Sequence, residues 1–244
     1  MTKSKTLVLT LGAVIIAAVS AIAAVGSGYT LFGGATYVTP GNNSNTAVKL
    51  VSDGTVPSTP PAPYSGIDFA VAAGMKFSDI ANLATDYNFT QGSCGIGSPR
   101  FVIFVTTPNG PGNIIVYIGP YPSYTSCAAG WTSSGNLVTA TSFVDAQGVG
   151  GPFYDTFATA QANYGSYPVT DIQLVADAGY AFPTTGQTVQ IDNTQINNTT
   201  YTYEPPVKDD CKNGGWQNFT SAPGPFKNQG QCVSYFASDG HGNH

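Results

Sequence analysis

The chain has thirteen acidic residues, counting its sole glutamate, Glu204, but only two histidines, His241 and His244. A serine or cysteine nucleophile needs a base, usually histidine. Both histidines fall in the last four residues, where chains fray. No G-x-S-x-G, H-E-x-x-H or Walker-type motif occurs. The glycines at 95, 97 and 148–151 lack the strand–helix setting of a phosphate loop and read as turns. A carboxylate pair is the one catalytic chemistry the residue types leave open. A glycosidase needs two such groups facing each other, and spacing alone does not say which aspartates converge. Asp86, Asp177 and Asp192 follow apolar segments, where capping, turn and calcium roles are all open. Asp177 and Asp192 are the candidates for a structural calcium. No EF-type spacing exists, and no other cofactor is expected.

Aromatic residues offer a second chemistry. Tyr117, Tyr121, Tyr124 and Trp131 crowd around Cys127 in a stretch rich in Pro, Ser and Gly, and Tyr180 and Phe182 lie in an expected turn. Sugar rings have apolar C–H faces that stack on tyrosine and tryptophan, so rings grouped at one end of a fold could form a glycan platform. The competing reading is loop and core packing, the usual fate of buried aromatics.

Compartment decides how the four cysteines read. Lys3 and Lys5 precede an uncharged apolar run from Thr6 to Val25, which ends near Ala21-Ile22-Ala23. That order matches a secretory signal peptide, with cleavage expected after Ala23. At about twenty residues the run also suffices for an uncleaved anchor, and both outcomes stay open. No later stretch is long and apolar enough to span a bilayer. Export makes disulfides the default. Four cysteines allow three pairings, and Cys94–Cys127 with Cys211–Cys232 is preferred because each pair lies within one segment. Zinc is the rival, but no two cysteines have C-x-x-C spacing. The formal net charge is −5, with only 9% of residues charged. Such a chain lacks the clustered cations that neutralise phosphates. Nucleic acid is therefore not expected as a partner. Sequons at Asn42, Asn88, Asn197, Asn198 and Asn218 are compatible with surface positions.

The elements that must position these groups are mostly short strands. Gly (29), Pro (17), Tyr (14) and Phe (13) are plentiful, a mixture that suits strands joined by turns. Alternation predicts strands at 46–52, 64–72, 100–106, 113–119, 135–143, 169–176 and 188–196. Shorter apolar pieces occur at 29–32 and 35–38. A hairpin turn is expected at Pro108–Gly112, and a Pro-rich loop at 56–63. Residues 77–89 fit either a helical turn or a strand. One short helix is expected from Phe153 to Tyr164, stopped by Gly165. The fold class that follows is mainly β, a jelly-roll-like antiparallel β-sandwich with one short helix and an N-terminal signal helix. The expected divisions are a signal peptide at 1–23, the sandwich at 24–203 and a Cys-bracketed tail at 204–244. That tail is too small for a core without its staple. Closing about twenty residues stabilises it by roughly 3 kcal/mol in the chain-entropy model. Trp216, Phe219 and Phe226 are its expected miniature core.

Two stretches carry a resemblance. IQLVADAGYAF, with QTVQIDNTQIN after it, resembles the last two strands of galactose-binding-like jelly rolls, an architecture that includes many carbohydrate-binding modules. DDCKNGGWQNF with FKNQGQCVSYFAS resembles a C-terminal tail of secreted bacterial proteins of uncharacterised function. SGIDF, TDYNFTQGSCGIGSPRF and DTFATA resemble the body of such proteins. The resemblance implies export and a jelly roll, and it supplies no activity. The expected function is a secreted or cell-surface, non-catalytic module whose partner is an extracellular glycan or cell-wall component. A structural or adhesive envelope protein is the first alternative, and a carboxylate-dependent hydrolase the second.

Overall fold

The computed structural model describes residues 28–52, 64–178, 186–219 and 224–238. The signal segment, the Pro-rich loop, Tyr180, Phe182 and both histidines lie outside the described residues.

Two antiparallel sheets form the body. The first has the order β1 (Tyr29–Gly33), β4 (Ser65–Phe69), β11 (Val169–Ala176), β6 (Arg100–Thr107) and β7 (Gly110–Tyr117). The second has the order β2 (Thr36–Val38), β3 (Ala47–Ser52), β12 (Gln187–Ile196), β5 (Leu83–Gln91) and β8 (Thr132–Ser133), with β13 (Thr199–Tyr201) also paired to β12. Alternation dictates which side chains meet between the sheets. Phe101, Ile103, Ile114, Ile172 and Leu174 point inward from the first sheet, and Val48, Leu50, Val189 and Ile191 from the second. Each such side chain, once buried, contributes about 1.5–3 kcal/mol.

Several expected elements shift, each for a local reason. Pairing of β6 with β7 continues to Thr107 opposite Gly110, so Pro108-Asn109 alone makes the turn. Gly110 has φ +117, and no atom would block a side chain there. Its glycine therefore answers to the backbone angle. Residues 77–89 divide into a 3₁₀ turn at Phe77–Asp79 and strand β5.

The strand expected at 135–143 does not form. Only Phe143–Val144 (β9) is extended, paired with Asp155–Thr156 (β10). Side chains take the backbone groups a ladder would use. The Asn136 Oδ1 accepts from Val138 N–H at 3.0 Å, and Ser142 Oγ accepts from Thr139 N–H at 3.1 Å.

The helix α1 (Phe157–Tyr164) begins four residues later than expected. Thr156 caps it, accepting from Thr159 N–H at 3.2 Å, which leaves Phe153 and Tyr154 outside the helix.

The tail holds an unexpected second helix, α2 (Gln229–Ser238). Asn228 Oδ1 accepts from Gln231 N–H at 2.9 Å at its start, an N-cap role. Phe219, Phe226 and Phe236 pack around the Cys211–Cys232 disulfide with Trp216 against them. This small core is separate from that of the body.

Candidate functional site

Strands β7 and β8 end their respective sheets on one side of the sandwich. The connections after them, 118–131 and 134–142, fold over this open edge, which would otherwise present unpaired backbone groups. The disulfide Cys94–Cys127, with Cα atoms 5.2 Å apart, ties the first connection to the loop after β5. Ser93 Oγ donates to Cys127 O at 3.3 Å beside it.

Six rings gather here. Tyr121 stacks on Phe143 with centroids 4.2 Å apart and planes 13° from parallel. Tyr154 meets Tyr121 edge-on at 5.3 Å. Phe153 stands at 4.6 Å from Tyr154, and Tyr124 at 4.3 Å from Tyr117. Burial grades across the group. Tyr124 is 5% exposed, while Tyr121 is 51% and Tyr154 46% exposed. The inner rings fill space and the outer rings meet solvent.

The inner rings are held firmly. Tyr117 donates to Asp145 Oδ2 at 2.9 Å, and Asp145 Oδ1 accepts from Gln147 N–H at 2.9 Å. Burial, with the Asp145 charge next, pushes the Tyr117 phenol well up. Burial, with the neighbouring Tyr154 and Tyr121 after it, pushes Tyr124 up to about 12. Both phenols are thus neutral at ordinary pH. Tyr124 and Ser126 have φ of +52 and +64. Non-glycine residues in this region store about 1–3 kcal/mol each and cluster at binding sites. The Tyr124 hydroxyl is buried with no hydrogen-bond partner among the described residues. Gly119 permits the close turn, since a side chain there would meet the Tyr124 carbonyl at 2.6 Å.

Beside the rings opens a cleft of about 520 Å³. Tyr117, Tyr121, Tyr124 and Phe143 form its apolar wall, and Ser134, Asn136 and Ser142 are among its polar residues. No charged side chain is among the described residues that line it. An apolar wall with a few polar groups is the usual makeup of a small-molecule site. Uncharged hydroxyl and amide groups fit a neutral, hydroxylated ligand.

The structure therefore brings together Tyr117, Tyr121 and Tyr124 of the sequence-derived candidates. Trp131 is half-buried and belongs neither to the ring group nor to the cleft lining. Phe143, Phe153 and Tyr154 were not anticipated, because 135–143 reads as a strand and 153–154 as the start of a helix. The pattern of Phe153-Tyr154 just ahead of the cap Thr156 is the one signal that points to them.

Asp177 and Asp192 do not share a site. Asp177 forms a two-pronged ion pair with Arg100. Asp192 Oδ2 accepts from Asn42 N–H at 2.7 Å and Ser44 Oγ at 2.5 Å, and its Oδ1 from Asn193 N–H at 2.7 Å. Both carboxylates are committed to protein donors, and no cluster of three Cys, His, Asp or Glu side chains suited to a metal forms among the described residues. Asp68 and Asp171 lie on the same face of neighbouring strands, Asp68 opposite Gln173 and Asp171 two residues before it. Neither aspartate lines the cleft.

No family model and no curated protein matches the chain. Among solved structures, it is similar to an exo-β-agarase at TM-score 0.35 and 16% identity, over 75% of this chain and 24% of that one. It is also similar to the xyloglucanase domain of NopAA, a type three effector from Sinorhizobium fredii, in complex with cellobiose. That match has TM-score 0.32 and 13% identity, over 71% of this chain and 92% of the other. The chain spans about a quarter of the agarase's length.

Proposed function

We propose that this protein is an exported, non-catalytic module that binds a neutral glycan in the cleft beside Cys94–Cys127. The observation that carries the reading is the half-exposed Tyr121–Phe143 stack against a wall of uncharged hydroxyl and amide groups. An aromatic face takes the C–H side of a sugar ring, and the hydroxyl and amide groups take its edge. No carboxylate is among the described residues that line the cleft, which favours binding over hydrolysis. Two disulfides support an oxidising compartment. No helix among the described residues is long and apolar enough to cross a membrane.

A structural role has its own support. Tyr124 and Tyr117 close the open edge of the sandwich, as spacer residues would. The two roles are compatible, because the inner rings close the edge and the outer rings stay available.

Affinity electrophoresis of the mature protein through gels of neutral glucan, galactan or xylan, and of acidic polygalacturonate, tests the reading. Retardation by at least one neutral polysaccharide is expected, with Tyr121→Ala weakening it about tenfold, a loss of ~1.4 kcal/mol. No retardation by any of them, with self-association instead, would leave only the structural role.

A further inference from the structure

The outer face of the first sheet carries two carboxyls with no cation opposite them. Asp68 on β4 lies across from Gln173 on β11, and Asp171 is two residues before Gln173 on the same face. Their inward neighbours, Ile67, Phe69, Ile172 and Leu174, are all in the core. The two strands are neighbours inside the sheet and cannot draw apart without breaking the ladder.

Among the described residues, no cation lies across the ladder from either carboxyl. Thr30 of β1 is opposite Asp68, and Phe104 of β6 is opposite Asp171. Arg100 is on the same strand as Phe104 but sits opposite Val175, and Asp177 engages it. Lys76 is bridged to Pro168 through its backbone, at the start of β11. The Gln173 amide donates to Asp171 Oδ2 at 2.8 Å. Two carboxylates both accept hydrogen bonds and neither donates. Side by side on one face, the two repel each other unless one carries a proton, which it can then donate to the other.

We infer that Asp68 and Asp171 form a proton-sharing clasp between β4 and β11 that makes the sandwich most stable in mildly acidic surroundings. Burial, and then the Asp68 carboxyl, push Asp171 up to about 7. In the unfolded chain an aspartate ionises near 3.9. The folded state therefore binds more protons between about pH 4 and 7, and stability falls as pH rises through that window. The clasp's contribution is complete below the unfolded value and lost once pH passes the folded one. This inference does not depend on the cleft. Asp68 and Asp171 sit on β4 and β11, inside the first sheet, and neither lines the cleft.

Thermal melting of the intact, disulfide-bonded protein from pH 4.5 to 8.5 is the test, with Asp171→Asn beside the wild type. An asparagine keeps the size and supplies a permanent donor. The two melting temperatures are expected to lie close together near pH 4.5. The variant should then become more stable than the wild type by about 3 °C or more at pH 8. Parallel curves across the range would overturn the clasp. Should Asp171→Asn fail to fold, Asp68→Asn serves in its place. A carboxyl NMR titration of the wild type reads the pair directly. One aspartate titrating near neutrality supports the clasp, and all aspartates titrating below pH 5 would overturn it.

Discussion

Asp192 shows what a strand-centre carboxylate does when its donors all come from the protein. It is fully buried in β12, and the loop after β2 folds down onto it through Asn42 N–H and Ser44 Oγ. Asp86 helps from β5, where its Oδ2 accepts from the Asn42 and Asn193 amides at 2.9 Å. Glu204 holds the other end of the loop, accepting from the N–H groups of Asn45 and Thr46. These acids latch a loop, and the chemistry of a calcium ligand is not needed to explain them. Asp192→Ala leaves the Asn42 and Asn193 N–H groups without their acceptor, while Ser44 Oγ keeps Thr46 O, and should destabilise the fold by about 2–3 kcal/mol, read by urea denaturation. A change below about 0.5 kcal/mol would mean that the loop is held some other way. Neither the latch nor the clasp was legible in the sequence. An aspartate in a strand or just past its end looks the same whether it meets a loop, an arginine or a second carboxyl. The loop partners lie 148 to 150 residues away for Asp192, and the arginine 77 away for Asp177.

At the scale of elements, strands with strict alternation read well. Val169–Ala176 falls where the pattern puts it, because both of its faces are decided by burial. The edge connections did not read as well. Residues 135–143 contain enough β-branched and apolar positions to look extended, but Asn136 and Ser142 spend the backbone groups on turns. The consequence reaches the candidate site, since that bent connection delivers Phe143 to Tyr121. The Cys94–Cys127 staple has the same kind of reach. Replacing both cysteines by serine should cost about 3–4 kcal/mol for a loop of 33 residues. Glycan retention should fall further than stability does, because the connection from 118 to 131 carries Tyr121 and Tyr124. Circular dichroism melts paired with affinity electrophoresis check this. Loss of stability with full retention would detach the staple from the site.

At the scale of the molecule, the strands of the body and the stapled tail have two separate cores. The cysteine pairing was readable because each pair closes a local loop. The grouping of six rings was only half readable. Tyr117, Tyr121 and Tyr124 are close in sequence, whereas Phe143, Phe153 and Tyr154 arrive through the β9–β10 ribbon that pairs Val144 with Asp155. The acidic, sparsely charged composition suits a cleft without charges, whose affinity would come from ring stacking and hydroxyl contacts. Such binding should be nearly insensitive to salt, because no ion pair contributes. The measurement that bears most directly on the account is an NMR titration of ring-labelled tyrosines with whichever neutral polysaccharide, as a soluble oligosaccharide, retards the protein. Tyr121 and Tyr154 resonances are predicted to shift together, while those of the core residues Tyr29 and Tyr203 stay in place. Shifts confined to tyrosines away from the Tyr121–Phe143 stack would contradict it.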